Sequence, residues 1–312
     1  MRIVITGALG HIGSRLLRVL PARFPGAEIL LLDNLLTQRY CSLFDLPGEG
    51  RYRFVEADIL TADLDTMLAG ANAVVHLAAI TDAPSSFAIR EQVERVNFEG
   101  TERVARACIR TGAALVFLST TSVYGPQGDT VDEDCSPTDL RPQSPYAESK
   151  LRSERLLTQL GEAEGLRFIT CRFGTIFGVS PGIRFHTAIN KFCWQAVLGV
   201  PITVWRTAMD QSRPYLDLED AIGALALILE KELYDRRVYN VITANATVKT
   251  IVDTIAGFVP DLNIELVNSP IMNQLSYTVS DRRFRDQGFV PGGSLQEGIG
   301  RTISLLKGVM QR

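Results

Sequence analysis

The sequence has no excess of basic residues and no apolar stretch long enough to cross a membrane. Its 32 lysines and arginines against 35 aspartates and glutamates give a net charge of −3. This balance argues against a protein that binds nucleic acid or an anionic membrane. The N-terminus lacks the basic and then apolar pattern of a signal peptide, because its apolar run meets a glycine at once. We therefore expect a cytoplasmic protein that binds neither nucleic acid nor membrane.

Cysteine is scarce, and its spacing is uninformative. The five cysteines form an odd set without a Cys-x-x-Cys pair, and no histidine lies at a partnering distance along the chain. The pattern argues against a disulfide framework and against a bound metal. We expect unpaired thiols, buried or half-buried, at Cys41, Cys108, Cys135, Cys171 and Cys193.

Three glycines spaced three apart follow a short β-branched run at the start of the chain. Residues 3–5 predict a buried parallel strand, and the apolar spacing of residues 14–20 predicts a helix. In this order, Gly7 permits a tight turn, Gly10 lets the backbone approach a pyrophosphate, and Gly13 lets the helix pack closely on the strand. The Gly-x-x-Gly-x-x-Gly form favours a dinucleotide site of the short-chain dehydrogenase type.

Acidic residues follow the next two predicted strands. Asp33 ends the strand at residues 28–33, about twenty residues beyond the glycines. A carboxylate there accepts from ribose hydroxyls and repels a 2′-phosphate, which favours NAD over NADP. After residues 52–56, Asp58 is interpreted either as a partner of the adenine amino group, with Ile59 packing on the ring, or as the cap of a helix at residues 61–68. Both interpretations stay open.

Residues 73–79 predict a buried strand that ends in small residues, which would let the backbone pass close to a cofactor. His76 in this strand is interpreted as a core residue with satisfied hydrogen bonds. The apolar stripe of residues 91–110 predicts a helix. Asn97 near its start is interpreted as scaffolding for the end of the next strand, in preference to direct chemistry.

A hydroxyl-rich run, Ser119 to Ser122, directly follows the strand predicted at residues 113–118. In a parallel sheet, ligands lie outside the carboxyl ends of strands, so this run is placed to meet one. Tyr146 and Lys150 come next, four residues apart on one face of a helix that continues to residue 164. A lysine ammonium and an oxidised nicotinamide would both favour the phenolate, so the tyrosine is a candidate base.

Strands alternate with helices up to the strand at residues 166–171, which predicts an α/β fold with a Rossmann-type, doubly wound parallel sheet. Beyond Arg172 glycines and prolines break the pattern. We expect an NAD-binding domain at residues 1–171 and a smaller α/β region at 172–312 that mainly binds substrate. Its predicted helices are residues 184–197, 218–232, 248–258 and 295–306, and its predicted strands are residues 202–205, 213–216 and 237–241.

As a set, these motifs resemble the extended short-chain dehydrogenase/reductase family of sugar-nucleotide-modifying enzymes, to which UDP-glucose 4-epimerase belongs. The resemblance also rests on Thr120-x-x-Val-Tyr-Gly125 and Arg213-x-x-x-Asp217-x-x-Asp220. It implies that Tyr146 is the catalytic base, that Lys150 binds the nicotinamide ribose, and that Thr120 hydrogen-bonds the reacting oxygen. The cofactor contacts that it implies are Gly7, Gly10, His11, Ile12, Gly13, Asp33, Asn34, Asp58, Ile59, Leu77, Ala78, Ala79, Asn97, Tyr146 and Lys150.

The same resemblance implies a nucleotide-sugar substrate, and several departures narrow the choice. Members that are 4,6-dehydratases follow the catalytic threonine with Asp-Glu, where this chain has Thr121 and Ser122. Members related to GDP-fucose synthase place a cysteine in this loop, and here there is none. The implied substrate contacts are Thr121, Ser122, Thr175, Arg184, His186, Asn190 and Arg213.

Two departures fall on positions that bind the substrate diphosphate in related epimerases. Thr175 stands where those epimerases carry Asn, and residues 274–278 stand where they carry an Arg-x-Gly-Asp motif. The nucleotide therefore stays open, with Arg184, Asn190 and Arg213 as candidate diphosphate partners. His186 is interpreted either as a substrate contact or as a packed side chain.

The favoured function is an NAD-dependent sugar-nucleotide epimerase that acts at C4 through a transient 4-keto intermediate. One alternative is a 4-oxidase or dehydrogenase that releases the keto sugar. A second is a non-catalytic, dinucleotide-sensing binding module, which the presence of both Tyr146 and Lys150 disfavours. The resemblance also suggests a homodimer in which the helices at residues 91–110 and 145–164 form a four-helix bundle.

Overall fold

Parallel strands and flanking helices account for most of the chain. The structure is a computed structural model that describes residues 1–125, 130–268 and 276–309. In chain order the strands are β1 (Arg2–Thr6), β2 (Glu28–Asp33), β3 (Arg51–Glu56), β4 (Ala73–His76), β5 (Ala114–Thr120), β6 (Thr130–Val131), β7 (Phe168–Phe173), β8 (Thr175–Phe177), β9 (Ile202–Trp205), β10 (Ser212–Asp217), β11 (Val238–Val241), β12 (Ala244–Thr247), β13 (Ile264–Val267) and β14 (Thr278–Val279). The helices are α1 (His11–Arg23), α2 (Leu64–Leu68), α3 (Arg90–Val93), α4 (Gly100–Thr111), α5 (Pro145–Glu164), α6 (Ala188–Val197), α7 (Leu218–Lys231), α8 (Val248–Ala256), α9 (Arg282–Arg285) and α10 (Leu295–Leu306).

The central sheet, as far as the structure describes it, has seven strands in the order β3, β2, β1, β4, β5, β7, β11. Every neighbouring pair in it is parallel. The strand order reverses between β1 and β4, and ligands of such sheets bind outside the carboxyl ends of the strands at that point. The predicted doubly wound, Rossmann-type α/β fold is confirmed.

Both faces of this sheet are buried, so alternate side chains of one strand enter different cores. In β1, Ile3 and Ile5 pack with side chains of α1 and α7, whereas Val4 packs with side chains of α4 and α5. All three are fully buried. A strand covered on both faces needs apolar residues at consecutive positions, which is why this short β-branched run becomes a central strand.

A smaller part follows β7 along the chain. It contains a mixed sheet of β8, β10 and β12 and a parallel pair of β9 and β13. Helices α6, α8 and α10 enclose a separate apolar core with these strands, which includes Phe177, Phe192, Ile251 and Ile299. The short strand β14 pairs with β6, so the two parts of the chain are also joined through a small sheet.

One strand expected in the smaller part belongs to the central sheet. Strand β11 pairs in parallel with β7, and α7 packs against α1 on the face of the same sheet. Residues 218–241 therefore extend the larger body, although they lie beyond residue 171. The reason is topological, since β11 adds one more parallel strand at the edge of the sheet beside β7, and α7, which precedes it, covers that sheet.

Several element boundaries differ from the sequence predictions. Helix α2 begins at Leu64 and is capped by Asp63, whose side chain accepts from the Thr66 N–H at 3.2 Å. The prediction that Asp58 caps a helix from residue 61 is therefore wrong. Between α3 and α4 the chain forms a π-helical stretch at Glu94–Glu99, where a continuous α-helix was expected. Helix α6 begins at Ala188 and not at residue 184, since the backbone of Thr187 directly before it is extended.

The outer surface of α4 and α5 is charged. Ion pairs join residues 58 positions apart, namely Arg90 with Glu148, Glu94 with Arg152, and Arg106 with Glu164, so the two helical segments run parallel and in register. None of the exposed large apolar side chains that the structure describes lies on α4 or α5. The homodimer stays a prediction, and an interface here would be largely polar.

No helix in the described ranges is long and apolar enough to span a membrane. The five cysteines are unpaired, as predicted. Cys108, Cys171 and Cys193 are buried and Cys135 is half-buried, whereas Cys41 is exposed. The expectation of a covered thiol is therefore wrong for Cys41, which lies in the irregular segment between β2 and β3.

Candidate active site

The glycine turn between β1 and α1 has a backbone that other residues could not adopt without strain. Gly7 has φ +64°, and a Cβ there would lie 2.6 Å from the Ala78 backbone nitrogen. A Cβ on Gly13 would lie 2.4 Å from the Ala8 carbonyl oxygen, so its close contact is with the turn itself and not with the predicted strand. Gly10 precedes α1 without a side-chain cap, which leaves the first N–H groups of the helix for an anion.

Acidic and amide side chains meet where β2 and β3 end. The Asp33 carboxylate accepts from the Leu9 and Leu35 N–H groups, each at 3.0 Å. The Asn34 amide donates to the Asp58 carboxylate at 3.2 Å. These three predicted cofactor contacts are thus brought together beside the glycine turn. Ile59 is only 6% exposed and packs on Gly100 of α4, so its side chain lies in the core.

The residues after β4 form the next part of the site. Leu77 and Ala79 line a cavity at the end of this strand, and Ala78 packs on the glycine turn. His76 is buried, with both ring nitrogens bonded to threonine hydroxyls, so its interpretation as a satisfied core residue is confirmed. The Asn97 amide binds the N–H and C=O of Ile80, so it holds the segment after the preceding strand and not, as predicted, the end of the next one.

Three predicted catalytic residues converge at the ends of β5 and α5. Helix α5 begins with Pro145 and is capped by the Ser144 hydroxyl, which accepts from the Ala147 N–H at 3.2 Å. This start places Tyr146 in the first turn and Lys150 one turn later. Thr120 is the last residue of β5, and its hydroxyl favours the ionised form of the Tyr146 phenol. All three residues line the same cavity.

Burial shifts the pKa values of both titratable catalytic groups. It raises the pKa of Tyr146 to about 12, against the opposing effects of the Thr120 hydrogen bond and the Arg184 charge. It lowers the pKa of Lys150 to about 8, against the opposing charge of Glu154. The expected stabilisation of the phenolate therefore comes, among these residues, from Thr120 and Arg184.

The cavity, of about 460 Å3, lies between the strand ends and the smaller part of the chain. We call the lining residues up to Lys150 the cofactor wall and those from Phe173 onward the substrate wall. The cofactor wall includes Gly7, Gly10, His11, Ile12, Gly13, Leu77, Ala79, Thr120, Ser122, Tyr146 and Lys150. Among the residues that the structure describes, neither wall contains an aspartate or a glutamate.

The substrate wall holds most of the predicted substrate contacts. Thr175, Arg184, His186 and Arg213 all line it. Arg184 reaches across to the cofactor wall, where it donates to the Thr81 hydroxyl, and its Nη2 lies 3.7 Å from the position of a Cβ on Gly10. His186 is exposed at the edge of the cavity, which favours a ligand contact over a packed side chain.

Two predicted substrate contacts do not reach the cavity. The buried Thr121 hydroxyl donates to the Phe173 carbonyl at 3.4 Å. The buried Asn190 amide accepts from the Gly178 N–H at 3.1 Å and donates to the Arg184 carbonyl at 3.0 Å. Each supports a loop of the site, and neither is among the described residues that line this cavity. Residues 274 and 275 of the altered diphosphate motif lie outside the described residues.

The comparison with known families decides what kind of site this is. Residues 3–241 match the NAD dependent epimerase/dehydratase family. The chain belongs to this family. Membership confirms the predicted class, an NAD-dependent sugar-nucleotide enzyme of the extended short-chain dehydrogenase type, and the predicted cofactor. It leaves epimerase and dehydratase as possible activities.

Relatives in the family include both activities. YtcB of Bacillus subtilis, an uncharacterized UDP-glucose epimerase, is 28% identical over 326 residues that cover 100% of this chain and 99% of the relative. RHM3 of Arabidopsis thaliana, a trifunctional enzyme that includes a UDP-glucose 4,6-dehydratase, is 30% identical over 96% of this chain but only 46% of the relative. The chain thus spans about half the length of this plant protein.

A solved structure in the family has the same fold along the whole chain. The UDP-glucose 4-epimerase of Thermus thermophilus, in complex with NAD, superposes with a TM-score of 0.85 at 26% identity and covers 99% of each chain. MoeE5, in complex with UDP-glucuronic acid and NAD, superposes with a TM-score of 0.85 at 27% identity and covers 99% of this chain and 100% of its own.

The sequence predictions missed several residues of the substrate wall in this family member. The most informative are Thr187 and Tyr215, whose hydroxyl oxygens are buried without a hydrogen-bond partner among the described residues. The Arg184 Nε atom shares this property. A helix start placed at residue 188 would have identified Thr187, since threonine directly before a helix normally caps it. Here its side chain makes no cap bond.

Proposed function

We propose that the protein is a sugar-nucleotide 4-epimerase, which inverts C4 through a transient 4-keto sugar. The observation that most supports this proposal is the charge of the side chains that line the cavity. Loss of water from a keto sugar needs a positioned acid and base, which the Asp-Glu pair supplies in the dehydratases that this chain resembles. Thr121 and Ser122 occupy those positions here, and the described wall carries basic side chains with no carboxylate: Lys150, Arg184, His186, Lys191 and Arg213.

Tyr146 is the proposed base for the sugar hydroxyl. Thr120 lines the same cavity and would hold the same sugar oxygen during proton transfer. The high pKa of this half-buried phenol means that additional positive charge is needed for it to ionise near neutral pH. Oxidised nicotinamide would supply that charge, and bound NAD would take up hydride from C4 and return it to the other face of the ring.

The residues on the cofactor wall fit a dinucleotide. The uncapped start of α1 and the Cβ-free surface of Gly10 would accept the pyrophosphate, and Gly7 permits the turn that places them. Asp33 would accept from the adenosine ribose, and Lys150 from its buried place would donate to the nicotinamide ribose. Lys150 has no hydrogen-bond partner among the described residues, so its donors are available for this contact.

The substrate wall suits the diphosphate of a sugar nucleotide. Helix α6 begins at the cavity, and its first N–H groups favour an anion. Arg184 has a buried Nε without a partner in the described chain, and Arg213 lines the wall nearby. Both guanidinium groups match phosphate oxygens in geometry. These features support a diphosphate-linked sugar in preference to a simple sugar.

The experiment uses purified protein with NAD and a panel of UDP-, GDP-, CDP- and dTDP-linked sugars. Products are followed by mass spectrometry and by the absorbance of NADH. The proposal predicts that one sugar nucleotide is converted to an isomer of equal mass, without lasting accumulation of NADH. That isomer must differ at C4 by NMR.

Other outcomes identify the rivals. Loss of two hydrogens with accumulating NADH would establish the 4-oxidase, and loss of one water would establish a 4,6-dehydratase. The second rival has a curated relative in the dTDP-glucose 4,6-dehydratase of Streptomyces griseus, which is 28% identical over 97% of this chain. If NAD binds and no sugar nucleotide reacts, the protein is a dinucleotide-binding module.

A further inference from the structure

A chain of buried hydrogen bonds runs from the glycine turn into the core beneath the cavity. It begins at Thr6, the last residue of β1, whose hydroxyl lies 2.7 Å from Nδ1 of His76. The other ring nitrogen, Nε2, lies 3.0 Å from the hydroxyl of Thr101 in α4. That hydroxyl lies 2.6 Å from the backbone carbonyl of Asn97. All four residues are at most 1% exposed.

The direction of every bond in this chain is determined by its last acceptor. The Asn97 carbonyl can only accept, so the single hydrogen of the Thr101 hydroxyl points to it. Thr101 must then accept from His76, which places the ring proton on Nε2. Nδ1 is left as an acceptor for the Thr6 hydroxyl, and Thr6 in turn accepts from the Ala78 N–H at 3.3 Å. A neutral ring therefore has a single tautomer here, protonated at Nε2 and accepting from Thr6 at Nδ1.

The far end of this series of hydrogen bonds reaches α5, the helix that carries Tyr146 and Lys150. The Asn97 side chain binds the N–H and C=O of Ile80 at 2.8 and 2.9 Å and also donates to the Ser149 hydroxyl at 3.2 Å. Ser149 lies between the two catalytic residues of α5 and donates to the Tyr146 carbonyl at 2.7 Å. The Asn97 carbonyl accepts a further bond from Ser153, one turn along the same helix.

We propose that neutral, Nε2-protonated His76 is a positioning residue, which holds the cofactor turn at a set distance from the helix that carries Tyr146 and Lys150. Its ring is the one group that bridges the β1 side and the α4 side of this bonded chain. Replacing the ring by a shorter side chain would remove the acceptor of the Thr6 hydroxyl proton and the donor to the Thr101 oxygen, both of which are fully buried.

The surroundings of the ring agree with a neutral state. Its charged neighbour is Lys150, whose Nζ lies 4.8 Å from the centre of the Phe117 ring, and the His76 ring stacks on that same Phe117 at 6.3 Å. Burial and the Lys150 charge lower the pKa of His76 to about 3. The other groups that contact the ring, Thr6 and Thr101, do not titrate.

A direct test is the protonation state of the ring, measured by long-range ¹H–¹⁵N NMR on the intact protein. The chain has three histidines, so His11→Gln and His186→Gln each remove one of the other signals and assign the third. We expect His76 to show a protonated Nε2 and an unprotonated Nδ1, unchanged from about pH 5 to about pH 8. The opposite tautomer, or a titration within this range, would overturn the proposal.

The positioning role is tested by Thr101→Val, which removes the acceptor at nearly constant volume, with Thr101→Ser as the matched control. A displacement of the turn from the catalytic helix should lower kcat about tenfold or more, while KM for the sugar nucleotide stays within about twofold. The dissociation constant for NAD should rise about tenfold. Thr101→Ser keeps the hydroxyl and should restore all three values.

If both Thr101 variants match the wild type in kcat and in NAD affinity, His76 is only a packing residue and the proposal fails. If Thr101→Val does not fold, the tautomer measured on the wild type decides. Only the kcat and KM arm of this test rests on the proposed function. Should no sugar nucleotide react, NAD affinity and the tautomer still test the inference, and the epimerase proposal fails on its own.

Discussion

The two walls of the cavity treat their buried polar groups in opposite ways. No residue lining the described part of the cofactor wall leaves a fully buried side-chain nitrogen or oxygen unpaired, and His76 has both ring nitrogens bonded. On the substrate wall, Arg184 Nε, Thr187 Oγ1 and Tyr215 Oη are all buried without partners among the described residues. Both walls face the same space, so burial alone does not explain the difference.

The contrast indicates which half of the site is organised before the substrate binds. A buried polar group without a partner costs about 1–3 kcal/mol, and a ligand that supplies the partner recovers this free energy. The hydrogen bonds of His76 beneath the cofactor wall are closed within the protein, whereas the Lys150 ammonium on this wall is left for the cofactor. The buried polar groups of the substrate wall find their partners only when a ligand binds. The free energy that they recover then contributes to the affinity for the substrate. Catalytic geometry and substrate affinity should therefore respond to different mutations.

The largest expected effect is on the cofactor wall, at the catalytic phenol. Tyr146→Phe should lower kcat about 1,000-fold, because it removes the group that accepts and returns the sugar proton. Its thermal midpoint should stay close to that of the wild type. Tyr52→Phe is the control, since its hydroxyl donates to the Leu17 carbonyl at 2.7 Å away from the cavity. Retention of more than about a tenth of kcat by Tyr146→Phe would exclude Tyr146 as the base.

The next effect concerns the geometry of the glycine turn. Gly7→Ala should weaken NAD binding about 100-fold, or about 2.7 kcal/mol, because its Cβ would displace Ala78. Gly26→Ala is a matched control, with φ +76° and no atom near its Cβ position. Both variants carry the cost of a left-handed alanine, and only the first disturbs the turn. Equal NAD affinity of the two, measured by calorimetry, would show that the close approach to Ala78 has no role.

The cofactor wall should also carry the acid sensitivity of the fold. Burial lowers the pKa of His11 to about 4 and that of His76 to about 3, from an ordinary 6.5. Between these values the unfolded chain binds protons that the folded chain does not, so stability is fully present above pH 6.5 and falls as the pH drops below it. At pH 5 each histidine should cost about 2 kcal/mol of the free energy of unfolding.

Urea denaturation at pH 5 and at a pH above 6.5 measures this loss in the free energy of unfolding. His11→Gln should remove about half of the pH dependence that the two buried rings cause. His186→Gln should remove less, because burial and the Arg184 charge lower the pKa of His186 too, but its side chain lies exposed at the edge of the cavity. A free energy of unfolding that is the same at pH 5 and above pH 6.5 would mean that the two buried rings are not held neutral.

The smallest effect distinguishes the walls most directly. Tyr215→Phe removes a hydroxyl that has no partner among the described residues, so the unliganded protein should be as stable or slightly more stable. Its affinity for the sugar nucleotide should fall about fivefold to tenfold. Tyr124→Phe removes a buried hydroxyl that donates to Asn240 at 2.8 Å, and should cost about 1–3 kcal/mol of stability with affinity unchanged. A loss of stability in Tyr215→Phe without loss of affinity would contradict the proposed division.

Sequence reasoning was most successful where spacing along the chain implies proximity in space. Strand, turn and helix at residues 2–23 are contiguous, and Tyr146 with Lys150 needs only one helical turn. Both therefore followed from local rules. The contacts of the segment after β4 were harder to predict. Asn97 could hold the end of the strand that precedes its helix or the end of the strand that follows it. Only the packed structure shows that it holds Ile80.

The substrate wall was the least predictable part for the same reason. Arg184 and Thr187 lie in the irregular segment before α6, whereas Tyr215 lies in β10, and their common cavity depends on how these two segments fold over the sheet. The sequence of a loop without apolar periodicity does not indicate which of its side chains face the cavity. Asn190 shows the consequence, since it was predicted to contact substrate and instead bonds the loop that carries Arg184.

The sequence alone determined the doubly wound fold, the dinucleotide turn and the tyrosine–lysine pair, because each depends on local periodicity and glycine chemistry. Tertiary structure decided the rest: which strand completes the sheet, the charge and lining of the cavity, and the bonded chain through His76. These features join residues tens to hundreds of positions apart, such as Thr6, His76 and Ser149. Their contacts exist only once the cores on both faces of the sheet have formed.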